Sequence, residues 1–321
     1  MKTINSDKDL VERITVEECS PKTRIYDYLV GKLETITTRK GVKKALQRKQ
    51  VTLNAAPACL PAGTVGGQGV TAYSGDFLKA GDVILLFQRK TIQHQHFELD
   101  LNVVYEDDIL AVVVKPAGIL VSGNSYKTIQ NALVQNLEIS TQKDRLSVPL
   151  PVHRLDQATF GLVIIAKTHS ARVELGRQLE HREIYKEYRA IVQGKLEGSG
   201  HLTTPIANKN ATTSFQSLAV YPSVKNEWIS ELKLSPVTGR KHQLRIHISR
   251  LGFPIIGDRE HGKKGDTLKH KGLFLAATKV IFQHPKTGEE ISIETAPPNK
   301  FSRFLKRESK WVKRINDKKE D

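Results

Sequence analysis

Hydrophobic positions along the 321-residue chain change period at recognisable places. Ile25, Leu29 and Leu33 recur every four residues, Gly41 interrupts, and Val42, Ala45 and Leu46 resume a helical stripe. Val51-Thr52-Leu53 then alternates into Asn54, so residues 22–54 read as helix, break, helix and short strand. A loop rich in Gly, Ala and Pro occupies 55–69, and residues 78–86 read as a turn feeding a strand. A linker around 88–98 separates this small module from a larger block.

In that block the pattern predicts strands at 103–105, 109–114, 162–166, 188–192, 228–234, 280–282 and 291–294. Helical spacing is expected at 129–137, 170–181, about 241–251 and in the C-terminal segment. Within 244–251 the period leaves two readings open. Leu244, Ile248 and Leu251 share a helical face, while Leu244, Ile246 and Ile248 share a strand face. Strands outnumber helices and do not alternate regularly with them, which favours an α+β fold with a mixed or antiparallel sheet over a doubly wound one. The expected organisation is an arm at 1–21, a small α/β module at 22–88, a larger domain at 89–299 and a basic tail at 300–321.

Charge sharpens this picture. Fifty Lys and Arg oppose 34 Asp and Glu, leaving +16 and a pI near 9.7. The surplus is local: residues 22–50 carry nine basic against two acidic side chains, and 300–321 carry nine against four. A near-neutral middle flanked by two basic segments points to a polyanionic partner gripped from both ends. No stretch approaches the ~18 consecutive apolar residues of a membrane span. The N-terminus places charge where a secretion signal needs an apolar run. Two cysteines, Cys19 and Cys59, without a CxxC pair fit a reducing compartment. The expectation is a soluble cytoplasmic protein.

The densest polar signal is His153-Arg154-Leu155-Asp156, followed by Thr159-Phe160-Gly161 and an apolar strand. A carboxylate just before a turn and a buried strand is held firmly while still facing a cleft, as a nucleophile or general base requires. Taken alone, an Arg-x-Asp at a strand entrance is more often a turn stabiliser. A second cluster runs from Thr238 to Ile248, where Arg245 stands placed to hold a carboxylate by a charge-assisted pair. His94 and His96 have no cysteine near them in sequence to complete a ligand set, so no metal site is expected. His153, His242 and His247 read as hydrogen-bonding or RNA-contacting groups rather than ligands. Neither a G-x-x-x-x-G-K-[ST] loop nor a strand-bound G-x-G-x-x-G occurs, and no nucleotide cofactor is expected.

Five segments together resemble the RluA family of RNA pseudouridine synthases, over roughly residues 22–300. They are Val104 to Leu110 through Lys115-Pro116-Ala117-Gly118; His153-Arg154-Leu155-Asp156-x-x-Thr159-x-Gly161-Leu162 through Ala166-Lys167; Lys186-Glu187-Tyr188-Arg189-Ala190 through Gly194; Thr238 to His247 through Gly257-Asp258; and Phe282-x-His284-Pro285-x-Thr287-Gly288-Glu289. Five such segments in this order are specific where each alone is not.

The resemblance implies isomerisation of uridine in RNA to its C-glycoside, with neither cofactor nor metal. It implies Asp156 as the catalytic carboxylate and Arg245 as its charge partner. It further implies Tyr188 as the side chain that stacks on the base and takes the proton from C5. Arg154 and His153 would contact RNA, and Leu275 would floor the base pocket. Phe160 and Ala276 stand where the family usually has serine and often histidine, departures expected to alter substrate choice.

Residues 22–87 resemble the RNA-binding domain first described in ribosomal protein S-four. Its RNA-contact candidates are Arg24, Arg39, Lys40, Lys43, Lys44 and Arg48. Lys49 stands where that domain usually has glycine. The expected partner is RNA, with large-subunit rRNA favoured over tRNA. A ribosome-assembly factor that binds RNA without catalysis is the alternative, and a monomer is the default state.

Overall fold

The computed structural model describes residues 8–18, 20, 22–36, 38–53, 70–89, 97–262 and 272–320. Cys19, Cys59, His94, His96, the 55–69 loop and most of the expected linker lie outside these residues. The chain folds as two compact units, Met1–His94 and Gln95–Asp321.

The first unit is a four-stranded antiparallel sheet with two helices. Its strands are β1 (Lys8–Thr15), β2 (Val51–Leu53), β3 (Val70–Thr71) and β4 (Val83–Arg89), in the order β1-β4-β2-β3. The helices α1 (Ile25–Leu29) and α2 (Arg39–Gln47) bury Ile25, Leu29, Val42, Ala45 and Leu46 against Val51, Leu78, Ile84 and Leu86. Gly41 does not interrupt the helix as its composition suggests; it lies in the first turn of α2. Thr38 caps that turn by accepting from the Gly41 amide at 3.1 Å. A side chain at Gly41 would meet the Ile36 methyl at 2.6 Å, so close packing rather than helix breaking explains the glycine.

Two expected boundaries are corrected. Within the arm expected at 1–21, Lys8–Thr15 form part of the first unit's sheet, because β1 pairs with β4. The Glu12 carboxylate also accepts from the amides of Glu34 and Thr35 at 3.2 and 2.6 Å. Likewise, 300–321 is not a simple tail. It forms a helix, α6 (Lys300–Glu320), whose first turns bury Phe301, Phe304 and Glu308. Phe274 packs between those two rings at centroid distances of 5.3 and 4.9 Å, and Ser223 donates to Glu308 at 2.8 Å.

The second unit is built on one mixed, mainly antiparallel sheet, in agreement with the expected α+β class. Its strands are β5 (Asn102–Glu106), β6 (Leu110–Lys115), β7 (Arg145–Pro151), β8 (Phe160–Thr168), β9 (Tyr185–Gln193), β10 (Ser199–Leu202), β11 (Thr213–Ser223), β12 (Glu227–Pro236), β13 (Leu275–Gln283) and β14 (Glu290–Glu294). The main path runs β10-β11-β12-β9-β13-β8-β6-β5, with β14 added to β13 and β7 to β8. Helices α3 (Ile129–Asn136), α4 (His169–Glu180) and α5 (Gln243–Arg250) complete the unit with α6. The helical backbone of Gln243–Arg250 settles the 244–251 ambiguity in favour of a helix, with Leu244 and Ile248 buried and Leu251 exposed just past its end.

Among the described residues, the one parallel pairing of strands in this sheet joins β8 to β13, through Phe160 with Ala276 and Gly161 with Ala277. There the backbones approach so closely that a Cβ on Gly161 would lie 2.1 Å from the Ala277 carbonyl oxygen. Gly161 also has φ of +129°, a conformation open to glycine and strained for other residues. The registers then align one row across five strands: Leu234, Tyr188, Ala277, Gly161 and Lys115.

Candidate active site

The loop between β7 and β8 carries Asp156, and neighbouring elements pin it at several points. The His153 ring accepts the Ile164 amide on Nε2 at 3.2 Å, while Val152 donates to Ile164 at 2.9 Å, continuing the β7–β8 pairing into the loop. Leu155 is buried in the core, and the Thr159 amide donates back to the Asp156 carbonyl. Gln157, the next residue, exchanges hydrogen bonds with the Gly118 backbone at 2.8 and 3.0 Å.

Beneath the loop lies a group that the sequence pattern does not single out. Lys115 ends the buried strand β6 and is itself fully buried. Its Nζ donates to the carbonyls of Pro116, Ile119 and Gln157 at 2.8, 2.8 and 3.0 Å. Three carbonyls satisfy the three donors of an ammonium, so the side chain ties the segment after β6 to the Asp156 loop. Burial lowers its pKa from 10.5 to about 8, and the negative charge of Asp156 limits the fall.

Opposite stands α5. It begins at His242, held in a left-handed conformation with φ 55° and ψ 22°. Gln243 fixes the turn: it accepts from the Thr238 hydroxyl and the Arg240 amide at 2.6 and 3.0 Å and donates to Thr212 at 2.9 Å. His247 lies within hydrogen-bond distance of the Thr213 hydroxyl and the Thr204 carbonyl, so its role is hydrogen bonding in the interior. So moored, α5 projects Arg245 toward Asp156.

The charge pairing differs from the simple pair expected. Arg245 makes a two-pronged bridge to Asp258, Nε to Oδ2 and Nη2 to Oδ1, both at 2.7 Å. Its remaining nitrogen, Nη1, faces Asp156 Oδ2 at the longer distance of 3.5 Å. Asp258 also accepts from the amides of Glu260 and His261. Burial alone would raise the Asp258 pKa, but the Arg245 fork and these amides more than offset it and hold the carboxylate ionised. The planar guanidinium is thus locked by one carboxylate and presented to another. His242 Nε2 lies 3.8 Å from the second Asp156 oxygen.

Tyr188 lines the same cleft from β9. Burial first, and the Asp156 charge second, push its pKa well above the ordinary tyrosine value, so it stands as a protonated phenol. His153 is driven the other way: burial, then the charge of Lys186, lowers its pKa from 6.5 to about 3. It is a neutral ring that braces the loop and shows one side to the cleft.

Asp156, Tyr188, Arg245, His153, Arg154 and Leu275 all line one cleft of about 740 Å³. The structure thereby brings together every site residue expected in the larger domain. Arg154 is exposed beside Asp156. Phe160 and Ala276 are register partners, so the larger side chain stands next to the smaller one. The basic candidates lie in the first unit. Arg39, Lys40, Lys43, Lys44 and Arg48 are exposed on and after α2, opposite its buried face, and Arg24 is exposed before α1. In sequence Lys115 and Asp258 appear only at the ends of two of the five family-like segments, and their roles, like those of His242, Glu260 and His261, are not revealed there. A lysine closing an otherwise apolar strand is the available signal for the first.

Comparison with known proteins agrees with this geometry. Residues 109–250 match the family described as RNA pseudouridylate synthase. The chain is 36% identical over 209 residues to the dual-specificity RNA pseudouridine synthase RluA of Haemophilus influenzae, covering 60% of this chain and 91% of that one. It is 31% identical over 265 residues to the ribosomal large subunit pseudouridine synthase D of Vibrio cholerae, covering 72% and 81%. Among solved structures, human RNA pseudouridylate synthase domain containing 1 superposes with a TM-score of 0.52 at 23% identity, over 62% of this chain and 84% of that one. Human RNA pseudouridylate synthase domain containing 4 gives 0.51 at 20%, over 64% and 92%; both likenesses speak to the fold. The chain belongs to the RluA family of RNA pseudouridine synthases, isomerases that make pseudouridine.

Proposed function

We propose that the cleft takes a single uridine flipped out of large-subunit rRNA and that Asp156 is the carboxylate acting at its sugar. The observation that carries this reading is the arrangement about Arg245. The guanidinium is locked by Asp258 at 2.7 Å and leaves one nitrogen for Asp156, the carboxylate facing the cleft. A buried, immobile cation beside a carboxylate holds it aimed, as a nucleophile or charge stabiliser at C1′ requires.

In the reaction the bond from N1 to C1′ breaks and one from C5 to C1′ forms. The proton at C5 is lost and N1 gains one, so no atom is added overall. A base within folded RNA reaches the cleft only by leaving its stack, at a cost of a few kcal/mol. Arg154, exposed beside Asp156, is placed to fill the vacated space. Tyr188 enters protonated, so in the resting enzyme it offers a ring face for stacking and a hydroxyl for orientation. Transfer of the C5 proton to its oxygen requires the phenolate first, and drawing down the Asp156 charge on attack removes one of the two causes that oppose it.

The first unit serves this reading as a ribosomal-protein-S-four-like RNA-binding domain whose α2 cations hold phosphates. Several relatives are named for the ribosomal large subunit, which supports rRNA as the target and the cytoplasm as the place of work. The test maps pseudouridine in rRNA and tRNA from a strain lacking the protein, after incubation with wild type or Asp156→Ala. New pseudouridine in large-subunit rRNA with wild type alone is the expected result. Modification confined to tRNA would move the target, and modification by both proteins would remove Asp156 from the mechanism.

A further inference from the structure

At the edge of the cleft, which His242 also lines, lies a second cluster to which the proposed isomerisation assigns no role. His242 Nδ1 and His261 Nε2 face one another at 3.0 Å, with the two rings at 71°. Glu260 Oε2 lies 3.3 Å from the same His242 nitrogen, while its other oxygen is turned to Arg245 at 3.3 Å. Among the described residues this is the one group of His, Cys, Asp and Glu whose donor atoms converge within 4.8 Å. Four donors about an ion at zinc's usual bond lengths of about 2.0–2.1 Å are separated by about 3.3 Å, close to the 3.0 and 3.3 Å from His242 Nδ1 to the other two donors, which lie within 4.8 Å of each other.

Three further features bear on the cluster. The turn that carries Glu260 and His261 is built in advance. Asp258 Oδ1 accepts both their amides at 3.0 Å, and Ser249 donates to the His261 carbonyl. A side chain at Gly262 would lie 2.3 Å from the Asp258 carbonyl, so the tight path needs a glycine there. Charge is unbalanced: with neutral imidazoles, three carboxylates (Asp156, Asp258 and Glu260) face two cations, Arg245 and the buried Lys115 beside Asp156, leaving one negative charge over. A bound cation offsets that excess. Finally, Glu260 is 60% exposed, which leaves an approach from solvent.

We propose that His242 Nδ1, His261 Nε2 and Glu260 Oε2 bind a divalent transition-metal ion of the zinc class, water completing the coordination. The ion takes the lone pair of His242 Nδ1 and thereby fixes that ring's proton on Nε2, the nitrogen facing Asp156 Oδ1 at 3.8 Å. A metal-bound imidazole that turns its free N–H toward a carboxylate is the usual second layer of a zinc site. Here that carboxylate is the proposed catalytic one, so occupancy adjusts the charge environment of Asp156 and makes turnover metal-sensitive. This coupling rests on the isomerase reading; the binding itself does not.

The test titrates cobalt(II), a visible reporter for zinc, into the metal-free full-length protein with any affinity tag removed. The expected result is one equivalent bound with d–d absorption, displaced by zinc. Glu260→Gln weakens binding at least about tenfold, and His261→Ala abolishes it. The exposed, isosteric Glu260→Gln guards against misfolding of the other variant. Absence of saturable binding, unchanged affinity in both variants, or a thiolate-to-cobalt band implicating Cys19 or Cys59 would each overturn the site. For the coupling, one equivalent of zinc should change turnover several-fold in wild type and leave the Glu260→Gln rate where it was. Equal responses sink the coupling. A protein that binds cobalt as described yet modifies no RNA would sink the isomerase reading and leave the site standing.

Discussion

The cleft of the second unit and the outer face of α2 in the first both concentrate charge, and they hold it in opposite ways. Exposed cations such as Arg154, Arg182 and Lys241 also line the cleft, but the charges that hold Asp156 in place are few, buried and fixed. Arg245 is 5% exposed and gripped by a 1% exposed Asp258, and Lys115 spends all three donors on carbonyls. On α2, Arg39, Lys40, Lys43 and Lys44 lie in water, and among the described residues none of them is in an ion pair. Desolvated charges gain strength from a low local dielectric, but only where geometry satisfies every donor and acceptor. Exposed cations are individually weak and screened by salt, and they act by number. The first arrangement suits chemistry at one atom and the second suits a grip on many phosphates. Substitutions should therefore have large, local effects in the cleft and small, additive ones on α2.

The sharpest test of that contrast is Asp156→Asn. It removes the charge without changing the shape of a side chain that is only 23% exposed. Turnover should fall by at least about three orders of magnitude, while RNA affinity and melting temperature stay close to wild type. Retained turnover would show that the fixed charge in the cleft is not the reactive one.

Next in size is the lock on Arg245. Asp258→Ala leaves a guanidinium buried without its two 2.7 Å partners. Breaking a buried pair in this way costs about 3–5 kcal/mol. The midpoint of chemical denaturation should drop accordingly, and turnover should fall although Asp258 is not among the residues lining the cleft. A loss below about 1 kcal/mol would place this pair with the exposed ones and erase the distinction drawn above.

How far these residues are legible in sequence follows from where their partners lie in the chain. Asp156, Tyr188 and Arg245 each sit in a short segment whose own neighbours identify it. Lys115 does not: two of its acceptors follow within four residues, but the third, Gln157, is 42 residues away. In sequence it marks the end of a strand before a proline; in the fold it staples two loops. Strand β1 is hidden by the register shift between Leu10 and Glu12, which breaks the two-residue period, and by the exposure of Leu10 at 48%. In α6 the basic residues draw attention from Phe301 and Phe304, whose spacing marks a docked face.

Lys49 shows the reverse case. Its φ of 55° explains why the S-four-like pattern has glycine there: the Lys49 and Gln50 amides close the end of α2 on Leu46 and Ala45, in a turn that needs a left-handed residue.

Lys115 also gives the contrast a pH dependence. Its folded pKa of about 8 lies below the ordinary 10.5. Between those values the unfolded chain holds more protons, so the contribution of this group to stability rises with pH across that window. Activity should move the other way. The neutral amine has two N–H groups for three carbonyls, and the Asp156 loop loses a tie as pH passes about 8. Measured against Lys115→Met, wild type should gain relative stability from pH 8 to 10.5 while its turnover declines. A parallel rise in both would mean that the staple does not govern the site.

The smallest effects belong to α2, and there the informative quantity is a slope. Removing one phosphate-binding cation should reduce the steepness of log K against log salt by about 0.7–0.9. Replacing Lys40, Lys43 and Lys44 by glutamine one at a time should therefore flatten the salt dependence of RNA binding in equal steps. Turnover on saturating RNA should not change, because all three lie in Met1–His94, the unit that does not carry Asp156, Tyr188 and Arg245. Their exposure opposite the buried Val42, Ala45 and Leu46 also predicts stability within about 0.5 kcal/mol of wild type. Equal steps are the mark of screened charges acting independently. If instead one lysine removes most of the affinity and leaves the slope unchanged, that side chain reads a fixed RNA feature, and α2 resembles the cleft more than its exposure implies.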